Sequence, residues 1–76
     1  LKLNFIGDSN NELLNNIGDN CPLLTSLELR YCRQINDEGV YNLMKRCTKI
    51  AYIALTGTSV SQQTITKLLQ VGIQVV

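Results

Sequence analysis

Residues 21–46 read CPLLTSLELRYCRQINDEGVYNLMKR, and the chain then returns to cysteine at Cys47. The apolar pattern restarts with that cysteine, 26 positions after Cys21. Inside the stretch, Leu27-Glu28-Leu29 alternates as a strand with one buried face does. Further on, Val40, Leu43, Met44 and Cys47 fall three or four residues apart, the spacing of one helical face. One stretch therefore encodes a strand followed by a helix. Such a unit cannot bury its own apolar side and must lie against a neighbour.

The neighbours are written in the same chain. Displacing the sequence by 26 superposes Leu1 on Leu27 and Ile53, Leu3 on Leu29 and Leu55, and Ile6 on Cys32. Leu24 meets Ile50, Leu14 meets Val40 and Ile17 meets Leu43. After Gly57 the third unit is one residue shorter, so Ile35 aligns with Val60, Val40 with Ile65 and Leu43 with Leu68. Each helix has a start signal. Asn10, Asn36 and Ser61 supply side-chain oxygens for N-caps, and Asp37 and Glu38 place negative charge in the first turn of the middle helix. Lys45 and Arg46 sit at its negative end. Pro22 opposes helix at Cys21, and Gly72 stops the last helix ahead of a short strand in IQVV.

A repeated strand and helix imply an α/β solenoid, with parallel strands on the concave side and helices on the convex side. The expected units are about 1–20, 21–46 and 47–71, with a final cap strand at 73–76. In this arrangement each recurring cysteine stacks on its counterpart in the next turn. The opening Leu1-Lys2-Leu3 already reads as strand, and no initiator Met precedes it. The expectation is the C-terminal segment of a longer chain, whose preceding unit covers the first apolar edge.

Cys21, Leu24, Leu27, Leu29, Cys32, Ile35, Asn36, Asp37, Gly39, Val40 and Leu43 together resemble one unit of the cysteine-containing leucine-rich repeats. The third unit keeps Cys47, Ile50, Ile53, Leu55, Val60, Ile65 and Leu68, with Thr58 at the second cysteine position and Thr64 at the glycine. The first unit departs further, with Ile6 and Leu13 at those two positions. The resemblance implies a leucine-rich-repeat solenoid and a protein-binding role. It points to F-box substrate receptors of ubiquitin ligase complexes, which serve ubiquitin-dependent protein degradation. Similar repeats in ciliary and DNA-repair assemblies imply an alternative, a non-catalytic scaffold or capping segment. A multiprotein complex is the expected setting in both cases.

Composition excludes several other classes. Seven basic and six acidic residues give a net charge of +1, so no electrostatic footprint for nucleic acid is present. No run approaches the roughly 18 apolar residues of a membrane span. Three cysteines, an odd number set within apolar patterns, point to free thiols and a cytoplasmic or nuclear protein (a cilium on the scaffold reading).

No catalytic, cofactor-binding or metal-ligating set is expected. Cys21, Cys32 and Cys47 lack the close pairs of zinc sites, and the chain has no histidine. Asp37 and Glu38 diverge around the helix and are better accounted for by capping than by acid–base chemistry. IGDSN and LTGTS are turns without the lysine and glycine spacing of a phosphate loop. An enzyme is not expected.

The expected working surface is the strand face away from the leucines. It takes Lys2 and Asn4 from the first unit, Ser26, Glu28 and Arg30 from the second, and Tyr52, Ala54 and Thr56 from the third. Lys2, Glu28 and Ala54 form the expected central row. The candidate protein-binding residues are Lys2, Asn4, Glu28, Arg30, Tyr52 and Thr56, with Arg30 and Tyr52 as anchors because those types dominate interface energetics.

Overall fold

The structure, a computed structural model, describes residues 2–76. Four strands and three helices alternate along the chain: β1 (Lys2–Ile6), α1 (Asn11–Asn20), β2 (Ser26–Arg30), α2 (Asp37–Arg46), β3 (Tyr52–Ala54), α3 (Gln62–Gln70) and β4 (Gln74–Val75). The strands form one sheet in the order β1-β2-β3-β4, every neighbouring pair parallel. Consecutive parallel strands need a crossover, and each helix supplies one. The chain is thus a small α/β unit.

The two periodicities read from sequence meet on one side of the sheet. Leu27, Leu29, Ile53 and Leu55 share a single buried cluster with Leu14 and Ile17 of α1, Val40 and Leu43 of α2, and Leu68 of α3. Each fully buried leucine or isoleucine contributes about 1.5–3 kcal/mol relative to exposure. All three helices therefore cover the leucine side.

Register departs from expectation at the first strand. Leu3 lies opposite Leu27 and Phe5 opposite Leu29, while Ile6 lies opposite Arg30 rather than matching Cys32. Ile6 is accordingly 71% exposed. Leu1, expected to match Leu27, lies outside the described residues. The cause is a shorter link between strand and helix: residues 7–9 occupy the place that residues 31–35 fill in the second unit. The helices still follow the 26-residue spacing, with Asn10 and Asn36 as caps and Leu14 and Val40 both buried. Strand and helix spacings differ, and a single displacement cannot describe both.

The helix starts are as the sequence indicates. Asn10 accepts from the N–H of Glu12 (3.0 Å), Asn36 from that of Gly39 (3.5 Å), and Ser61 from that of Thr64 (3.4 Å). Adjacent helix starts are also joined. Asn11 accepts the Asn36 N–H at 3.2 Å, and its amide donates back to Asn36 Oδ1 at 2.8 Å. Gly39 is required beneath this contact, since a Cβ there would collide with the Asn11 side-chain oxygen. In the third unit Thr64 takes the glycine's place, fully buried, and its hydroxyl donates to Tyr41 Oη at 3.1 Å.

The cysteines occupy stacked positions. Cys21 and Cys47 follow α1 and α2 as C-caps, and the Cys47 thiol donates to the Cys21 carbonyl at 3.2 Å. Burial, and secondarily the nearby Cys21, raise the Cys47 pKa. Cys32 is fully buried and points at the Phe5 carbonyl, 3.8 Å away. Where the third unit has Thr58, the hydroxyl donates to Leu55 O at 2.8 Å.

The open sheet face as a candidate interaction site

With every helix on the leucine side, the other face of the sheet is left open. Side chains alternate along a strand, so the residues between the buried ones point to this face. Lys2 and Asn4 are exposed on β1, Ser26, Glu28 and Arg30 are partly exposed on β2, and Tyr52 is partly exposed on β3. Thr56, just beyond β3, is exposed.

The rows are not those expected. Lys2 lies beside Ser26 and Tyr52, whereas Asn4 lies beside Glu28 and Ala54. The central row is Asn4–Glu28–Ala54, and Lys2 belongs one row earlier. The shortened first link is again the reason. Ala54 is also fully buried, so the β3 part of this row offers no surface to a partner.

Arg30 organises the middle of the face. Its guanidinium pairs with Glu28 at 2.8 Å, the two side chains being 41% and 27% exposed. The nearby Tyr52 hydroxyl, and then the charge of Glu28, raise the Arg30 pKa above that of a free guanidinium. Three of the six expected binding residues are thus brought together: Glu28, Arg30 and Tyr52. Lys2 and Asn4 lie alongside on β1. Thr56 lies past the end of β3, and its carbonyl accepts the N–H of Tyr31 at 2.7 Å.

That bond leads to a group of residues the sequence reading passed over. Gly7 N–H donates to Arg30 O (3.2 Å) as Tyr31 N–H donates to Thr56 O, so Gly7, Tyr31 and Gly57 hold equivalent places after successive strands. All three are left-handed, with φ of 75°, 62° and 79°. Glycine adopts this conformation freely, while a residue with a Cβ loses about 1–2 kcal/mol there. Tyr31 is nonetheless 59% exposed. It borders a crevice of about 240 Å³ that Gly7, Asp8, Ser9, Arg33 and Gln34 also line. In the sequence the 26-residue displacement sets Tyr31 against Gly57, and Gly7 joins them only through the shorter first link.

Among the described residues, no group of three or more Cys, Asp or Glu side chains is placed to hold a metal ion. Among them too, no helix is long and apolar enough to cross a membrane. No protein-family profile matches the chain. No solved structure matches it either.

Proposed function

We propose that the chain is a protein-interaction module built as a leucine-rich-repeat solenoid, whose open strand face is concave and grips a partner polypeptide. The observation that carries this reading is the Glu28–Arg30–Tyr52 group, held on a face that none of the helices covers. Equivalent backbone positions recur between neighbouring strands, and equivalent caps and thiols recur between turns. That repetition is what a solenoid requires. Arginine and tyrosine on adjacent strands supply the residue types that anchor protein interfaces.

Within that role, the resemblance of residues 21–43 to cysteine-containing repeats favours the substrate-recognition part of an F-box type ubiquitin ligase receptor acting in the cytoplasm or nucleus. The scaffold reading, with these turns closing the end of a larger assembly, draws on one feature. The last strand is short and is tied in by Leu55 N–H to Val76 O and Val76 N–H to Ile53 O, at 2.7 and 3.0 Å.

Affinity capture with the wild-type chain and with Arg30→Glu and Tyr52→Ala tests the shared claim. Both substitutions should remove the same captured protein while leaving the melting temperature near that of the parent. An unchanged set of captured proteins would move contact away from this face. The receptor reading further requires the captured protein to carry ubiquitin and to accumulate when the proteasome is inhibited. If it does neither, the scaffold reading replaces it.

A further inference from the structure

We infer that the crevice between residues 7–9 and 31–34 is a docking site for a peptide segment bearing one acidic and one basic side chain, with Tyr31 as its stacking wall. The site is distinct from the open strand face and lies on the loops that follow β1 and β2.

Two observations converge on it. The first is the tyrosine itself. Gly7 and Gly57 show what the backbone needs at this level of the fold, and tyrosine satisfies it only with strain. Its ring lies close over Gly57, where a Cβ would meet Tyr31 Cδ1 at 2.6 Å. The neighbouring glycine thus leaves room for the ring. The conformation costs the fold stability and displays an aromatic surface to solvent, a combination explained by a use outside the fold.

The second observation is charge. Asp8 and Arg33 both line the crevice, and neither has an ion-pair or hydrogen-bond partner for its side chain among the described residues. Elsewhere Arg30 is paired with Glu28, and Arg46 with Asp19 at 2.7 Å. A partner of one charge sign would gain one of these groups and be repelled by the other. A segment carrying both signs satisfies both, with its backbone laid over the tyrosine ring. A crevice of about 240 Å³ suits one or two side chains rather than a folded domain.

Three blocked tripeptides serve as probes, acetyl-Glu-Ala-Lys-amide, acetyl-Glu-Ala-Glu-amide and acetyl-Lys-Ala-Lys-amide, titrated into the ¹⁵N-labelled chain and followed by amide shifts. The mixed-charge probe should shift the amides of residues 7–9 and 31–34 at several-fold lower concentration than either single-sign probe. Asp8→Asn should transfer that preference to the acidic probe, and Arg33→Gln to the basic one. Tyr31→Gly should abolish the shifts while the melting temperature holds or rises. Equal response to all three probes, or shifts centred on other residues, would overturn the proposal. So would a Tyr31→Gly chain that melts markedly lower, because the ring would then be serving the fold.

Discussion

Asp37, the first residue of α2, accepts the backbone N–H of Ser61, the cap of α3, at 2.6 Å. Asn11, the first residue of α1, does the same for Asn36, the cap of α2. The first helical residue of one turn thus satisfies the cap residue of the next, so each helix start is completed by its predecessor. An amide serves in one case and a carboxylate in the other.

The carboxylate makes the second junction sensitive to acid. The Ser61 backbone N–H, then its hydroxyl, hold the Asp37 pKa below the ordinary carboxylate value. A lowered folded-state pKa means stability that is fully present above the unfolded value of about 3.9 and is lost as pH falls through the folded one. Asp37→Asn keeps an acceptor but removes this dependence. Melting curves from pH 7 down to pH 2 should show the parent falling more steeply than Asp37→Asn below about pH 4. Parallel curves would show that the junction does not depend on the charge.

The first junction can be probed through Gly39. Its missing Cβ leaves room for the Asn11 side chain, so Gly39→Ala should cost about 1–3 kcal/mol by overpacking. Removing the obstacle with Asn11→Ala should turn the same change favourable, since alanine exceeds glycine in helix preference by about 1 kcal/mol. A double-mutant cycle by denaturant unfolding measures the coupling. Additive effects would place Asn11 elsewhere.

Cys47 is fully buried, with its thiol on the Cys21 carbonyl. Cys47→Asp puts an unpaired charge there and should cost about 3–5 kcal/mol. Cys47→Ser keeps a donor for the same carbonyl and should cost distinctly less. Chemical denaturation ranks the pair. A Cys47→Asp chain as stable as the parent would contradict the stacked placement.

Thiol accessibility gives an independent reading. Cys21 is partly exposed, whereas Cys32 and Cys47 are fully buried. One thiol should react with an aromatic disulfide reagent under native conditions, and all three after unfolding. Mass spectrometry should locate the first modification at Cys21.

The two faces of β2 should answer differently to truncation. Leu27→Ala opens a cavity in the core and should cost about 2–5 kcal/mol. Glu28→Ala, one residue on, should stay within about 0.5 kcal/mol, because partly exposed ion pairs contribute little. Thermal melts of the two variants check the facing of the whole sheet.

Most elements were legible in the sequence because local chemistry sets them. The caps Asn10, Asn36 and Ser61, the stop at Gly72 and the LxL strand were all visible in single residues. The register of β1 was not legible. Leu1, Leu3 and Phe5 alternate equally well at either placement, and only the length of the following loop decides between them. Lys2 and Asn4 each lie one row earlier than expected for that reason. Glu28, Arg30 and Tyr52 followed directly from alternation, since β2 and β3 keep the 26-residue offset. The burial of Ala54 was hidden because a small side chain can be shielded by larger neighbours on an otherwise open face. Tyr31 was overlooked because a left-handed backbone leaves no mark on hydrophobic pattern.

The sheet is terminated unequally. β1 offers an edge five residues long, while β4 is two residues long and sits on a strand of three. Unpaired strand edges recruit further strands in proportion to their length and flatness. A further parallel strand, whether from the same polypeptide or another, would find five residues of backbone beside Lys2–Ile6 and only two beside Gln74–Val75.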